Sequence, residues 1–96
     1  ARRQAIEARG ALVIPLPGPG GKVDLAAMLR DLAVNREVNE VHVEAGHKLN
    51  GSLLREDLID EFLVYLAPRL IGEGRGMLNF GPLESLSQAA RLAFRD

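Results

Sequence analysis

Short apolar runs alternate along this chain with segments whose apolar residues recur every three or four positions. That alternation restricts the chain to an α/β fold. Ala11-Leu12-Val13-Ile14 is an unbroken apolar run closed by Pro15. A strand apolar on both faces belongs in a parallel sheet covered by helices. Leu16 to Gly21 is rich in Pro and Gly and has no period, so it reads as a connection. Asp24 then offers an N-cap carboxylate, with Val23 and Met28 placed as a hydrophobic staple across it. Leu25, Met28, Leu29 and Leu32 follow on one helical face, which the polar stretch Asn35 to Asn39 ends. Val41 and Val43 alternate with His42 and Glu44 in a second short strand. Strand, helix and strand in this order predict a right-handed βαβ crossover.

The pattern continues on both sides of that unit. Residues 2–9 read as the end of a helix, with Gly10 at the position where a left-handed C-terminal residue is favoured. A helix is expected from His47 to Arg55 with Leu49, Leu53 and Leu54 turned inward, then a helical turn at Leu58-Ile59-Asp60. Phe62 to Leu66 is the most apolar strand candidate, stopped by Pro68. Residues 72–82 form a Gly-rich loop, Leu83 to Leu92 is weakly helical, and Ala93 to Asp96 reads as the opening of another strand.

Composition narrows the function classes. The 96 residues suffice for one domain. A net charge of −1 argues against nucleic acid as a partner, since phosphate-binding surfaces need a basic excess. No apolar run approaches the ~20 residues of a membrane span, so no membrane partner is expected. There is no cysteine, which removes disulfides and thiolate metal sites and suits a reducing cytoplasmic setting. Neither an initiator Met nor a signal-peptide core opens the chain, so it reads as beginning inside a larger protein or after processing.

The stretch from Val41 to Ser52 carries the chemistry. A strand ends at Glu44, a turn of small residues follows, and a helix opens at once. In open α/β sheets, ligands bind at the carboxyl ends of strands. The first turn of a helix has unbonded N–H groups and a partial positive charge, which together can hold a phosphate. Gly46 permits close approach there, and Lys48 and Ser52 could add contacts. The same residues also fit a plain connection.

Val41 to Leu54 (VHVEAGHKLNGSLL), followed by Leu58 to Gly76 (LIDEFLVYLAPRLIGEGRG), resembles the reductase domain of the bifunctional riboflavin biosynthesis deaminase/reductase. Gly21 to Leu25 fits the helix start that precedes this region in the family. The resemblance implies a dihydrofolate-reductase-like fold, mostly parallel sheet with flanking helices. It implies NADPH-dependent reduction of 5-amino-6-(5-phosphoribosylamino)uracil, a small pyrimidine ribosyl phosphate, to its ribitylamino counterpart. Carried over by position, the substrate-contacting carboxylate falls on Glu44. The cofactor-binding turn falls on Gly46, His47, Lys48, Leu49, Asn50, Gly51 and Ser52, with Gly46 and Gly51 as the small positions. The family pattern has Gly-Gly where this chain has Ala45-Gly46. If that turn requires a cis or left-handed peptide, Ala45 carries a backbone cost of ~3 kcal/mol.

On this reading residues 1–96 are one incomplete reductase domain, its C-terminal portion, without the deaminase domain or the first part of the reductase. A homo-oligomer and little turnover by the isolated chain are expected. The alternative is a non-catalytic module of the same fold that serves packing or dimerisation.

Other features have ordinary explanations. His42 and His47 lie five apart across a turn, a spacing that offers no metal site on one helix face, and no metal is expected. Glu56, Asp57, Asp60 and Glu61 read as a solvated face. Gly72 to Gly76 lacks the spacing of a dinucleotide loop, and Gly18 to Gly21 lacks the ending of a phosphate-binding loop.

Overall fold

The computed structural model describes residues 1–95, which fall into two units, one from Ala1 to His42 and one beginning at Val43. Among the described residues there are three α-helices: α1 (Arg2–Glu7), α2 (Leu25–Asn35) and α3 (His47–Arg55). Single 3-10 turns occur at Pro19–Gly21 and Leu86–Gln88.

In the first unit, α1 ends at Glu7, two residues short of the expected 2–9, and the turn that follows it places Gly10 at the expected left-handed φ, 91°. An ion pair between Arg3 Nε and Glu7 Oε1 at 2.9 Å spans one helical turn on its exposed surface. The Pro- and Gly-rich connection closes on itself. Pro17 and Val23 form an antiparallel bridge, and Gly18 N–H donates to the Lys22 carbonyl at 2.7 Å. Gly20 and Gly21 take φ of 70° and 71° inside that closure, a region costly for residues with a Cβ. Asp24 N–H donates to the Leu16 carbonyl at 2.8 Å, and the Asp24 side chain accepts from Ala27 N–H at 3.0 Å. The expected N-cap is therefore in place, fastened on both sides.

The periodic face of α2 is turned inward. Leu25 is buried, and Met28, Leu29 and Leu32 are half-buried. Val23 stays largely exposed, so a staple across the cap adds little burial. Past the C-terminus, Glu37 adopts φ 55° and Val38 N–H donates to the Leu32 carbonyl at 2.9 Å.

In the second unit, α3 runs over the residues its pattern predicts. Leu53 is buried to 4% exposure and Leu54 is half-buried, whereas Leu49, expected inward, is 39% exposed. The helix ends in a Schellman motif. Leu58 N–H donates to the Leu53 carbonyl at 2.9 Å and Asp57 N–H to the Leu54 carbonyl at 3.1 Å, with Asp57 at φ 56°. The chain reversal thus falls at Glu56-Asp57, and no helical turn forms at 58–60.

The expected parallel sheet is absent among the described residues. Residues 11–14, 41–43 and 62–66 carry no strand, and the βαβ crossover they would frame is not formed. An apolar run becomes a strand only when an adjacent extended segment takes up its N–H and C=O groups in a regular ladder, and among the described residues no such ladder forms along these runs. Most of their side chains stand open instead, Tyr65 at 85% and Leu66 at 89% exposure, while Val13 and Phe62 are half-buried. The helix expected over Leu83–Leu92 shortens to the turn at Leu86–Gln88. Residues 93–95 carry no strand, and Asp96, the end of that expected opening, lies outside the described residues.

Candidate functional site

The candidate site is the turn from Glu44 to Gly46 and the helix it opens. Gly46 is the N-cap of α3 at φ −80° and ψ 176°, and no side chain caps the helix. His47, Lys48 and Leu49 form the first turn, whose N–H groups precede the intrahelical ladder. Asn50 N–H is the first to find its partner, the Gly46 carbonyl at 3.1 Å. A Cβ built on Gly46 meets no atom within 4 Å, so the approach to this turn is open. Glu44, His47 and Lys48 are all exposed beside it. The left-handed non-glycine positions among the described residues are Glu37 and Asp57, so Ala45 carries no such backbone cost.

The rest of the predicted helix is engaged differently. Gly51 is buried, and a Cβ added there would lie within 3.0 Å of the Asn79 backbone nitrogen, carbonyl carbon and carbonyl oxygen. The small residue accommodates residues 77–81, which lie across α3. Asn79 N–H donates to the His47 carbonyl at 2.8 Å, and Arg55 Nη1 donates to the Asn79 carbonyl at 2.5 Å. Arg55 Nη2 also donates to Ser52 Oγ at 3.0 Å, one turn back along the helix. Asn50 Nδ2 donates both to the Ala45 carbonyl and to the Met77 carbonyl, each at 3.1 Å.

The structure therefore gathers Glu44, Gly46, His47, Lys48 and Leu49 at an open helix start. It sets Asn50, Gly51 and Ser52 against a crossing segment. Arg55, Met77 and Asn79 belong to this assembly and were not evident from motif or spacing. The signal that could have found them is a glycine inside a helix, flanked by Asn50 and Arg55. A mid-helix glycine costs about 1 kcal/mol relative to alanine, so it calls for a packing reason.

The acidic residues noted in the sequence stand exposed, and Glu61 pairs with Arg95. Among the described residues, no three His, Asp or Glu side chains gather as a metal-binding group. No helix there is long and apolar enough to cross a membrane.

With this geometry, comparison with known proteins gives the class first. A family model described as the RibD C-terminal domain matches residues 1–95, and the chain belongs to that family. Membership is consistent with the dihydrofolate-reductase-like fold class. The chain is 37% identical over 82 residues to riboflavin biosynthesis protein RibD of Escherichia coli, covering 84% of this chain and 22% of that protein. It is 39% identical over 66 residues to riboflavin biosynthesis protein RibD of Haemophilus influenzae, covering 68% and 18%. A protein of Buchnera aphidicola named 5-amino-6-(5-phosphoribosylamino)uracil reductase is 41% identical over 51 residues, covering 53% and 24%. The chain thus spans about a fifth of the length of the curated relatives it matches. No solved structure matches.

Proposed function

We propose that this chain is part of a reductase that converts 5-amino-6-(5-phosphoribosylamino)uracil to its ribitylamino counterpart with NADPH, in the cytoplasm. Family membership supports the reaction class, and the uncapped turn from Glu44 to Gly46 is the observation that carries the local assignment. The residues fit a dinucleotide. Gly46 leaves the first turn of α3 approachable, and its N–H groups and partial positive charge suit phosphate oxygens. His47 and Lys48 border that opening, and Leu49 offers an exposed apolar contact beside it. Asn50, Gly51 and Ser52 complete the cofactor turn from behind, through the crossing segment described above. When bound, the nicotinamide supplies the hydride.

Conversion of the ribosyl group to ribityl adds two hydrogens. Hydride goes to the anomeric carbon as its bond to the ring oxygen breaks, and the ring oxygen takes a proton. Glu44 stands two residues before the cofactor turn, exposed and within its sequence neighbourhood, where it serves the substrate. Its carboxylate orients a ribose hydroxyl or stabilises positive charge as the ribosylamine opens. The chain's contribution is alignment, because hydride transfer depends on holding the two carbons in register.

The test is NADPH oxidation by the intact polypeptide that carries this sequence. Glu44→Gln lowers kcat at least tenfold with little change in KM for NADPH, while Lys48→Ala raises that KM. Unchanged turnover in Glu44→Gln removes Glu44 from the reaction.

A further inference from the structure

We propose that Asn50 is a positioning residue, a latch that sets the Glu44–Gly46 turn by tying it to residues 77–81, and that it touches no cofactor itself. The inference deepens the function proposed above and rests on that reading of the turn.

The amide of Asn50 carries two hydrogens on one nitrogen, and both are spent on backbone carbonyls. One goes to Ala45, the residue between Glu44 and Gly46. The other goes to Met77, 27 residues downstream. One side chain therefore fixes the Ala45–Gly46 peptide plane and fastens it to a distant segment. That segment is itself held. Asn79 N–H donates to the His47 carbonyl, Arg55 donates to the Asn79 carbonyl, and Asn79 Oδ1 accepts from Gly81 N–H at 3.2 Å. Gly51 makes the close approach possible, because any Cβ there would meet the Asn79 backbone.

A turn between a catalytic carboxylate and a phosphate-holding helix start must keep both in register. No side chain caps α3 at Gly46, and beyond the backbone bond from Asn50 N–H to the Gly46 carbonyl the turn gains by a further tie to the helix. The hydrogen bond from Asn50 to Ala45 supplies one from five residues further along the chain.

The experiment uses the intact polypeptide with three readouts. These are hydrogen exchange at the Asn79 amide without ligand, NADPH affinity by titration, and thermal unfolding. Asn50→Asp keeps the shape and removes both donors. It is expected to speed Asn79 exchange at least tenfold and to weaken NADPH binding at least fivefold, with the melting transition close to wild type. Asn50→Ser, which keeps one short donor and adds no charge, gives intermediate values for both. If wild type binds NADPH and Asn50→Asp binds it equally tightly, the positioning role is overturned while the proposed function stands. If wild type itself binds no NADPH, the proposed function falls and the positioning role falls with it. Unchanged exchange at Asn79 overturns the latch whatever the cofactor does.

Discussion

At the scale of single residues, Gly51 separates two opposite expectations. In an ordinary helix interior, Gly→Ala stabilises by about 1 kcal/mol, because alanine loses less backbone freedom on folding. Here the new methyl group would overlap the Asn79 backbone, which cannot swing aside as a flexible side chain could. Overpacking of this kind costs about 1–3 kcal/mol, so the clash wins. Gly51→Ala is expected to destabilise the second unit or to lift residues 77–81 off α3. Denaturant titration with hydrogen exchange at Asn79 would show which, and a stabilised protein with Asn79 still protected would contradict the packing described. The reason for this glycine was not legible in the sequence, since the backbone it accommodates lies 28 positions away. The helix start was legible. Glu44, Gly46 and the residues after them stand where the strand–turn–helix pattern puts them, although the strand itself is missing.

At the scale of elements, α2 and α3 were readable because their determinants are local. Asp24 caps α2 through Ala27, and the apolar spacing of three and four sets its inward face. Asp24→Ala is expected to cost about 1 kcal/mol, seen as an earlier denaturation midpoint with an unchanged slope. The last turn of α2 has its own pH dependence. Asn35 Nδ2 donates to Asp31 Oδ1 at 2.8 Å and Arg36 Nε pairs with Oδ2 at 3.0 Å. The hydrogen bond from Asn35, then that from Arg36, holds the Asp31 carboxyl below its ordinary 3.8. A carboxylate lowered in the folded state stabilises above its unfolded value and loses that contribution as pH falls through the lowered one. The helical signal of wild type is therefore expected to weaken below about pH 4 more than that of Asp31→Asn, as followed by circular dichroism in an acid titration. Equal acid responses would remove Asp31 as the cause. The three strand candidates failed for the complementary reason. Their apolar pattern is local, but a strand exists only in its pairing, and no spacing within 11–14, 41–43 or 62–66 names a neighbour.

At the scale of the whole molecule, the contrast lies between few buried and many open apolar side chains. Among the described residues, each unit buries one large apolar residue, Leu25 in the first and Leu53 in the second. Burying a leucine contributes about 1.5–3 kcal/mol, while ordering a residue's backbone costs about 1–2 kcal/mol, so one such residue orders little chain. In the second unit Leu63, Tyr65, Leu66, Leu70 and Ile71 all stand exposed within one stretch. Apolar surface of this extent is rare on a soluble monomer and favours association. We expect the 96-residue chain on its own to form oligomers, and a monodisperse monomer in light scattering would count against that.

The fastening of Arg55 to Asn79 carries a consequence for how such a chain can vary over time. Residues 56–76 leave α3 and return to it, so both ends of that excursion are anchored at one place. Once the ends of a loop are pinned, doubling its length adds only ~0.6 kcal/mol of closure entropy. Insertions and deletions between those anchors should be far more forgivable than any change in the spacing from Asn50 to Arg55.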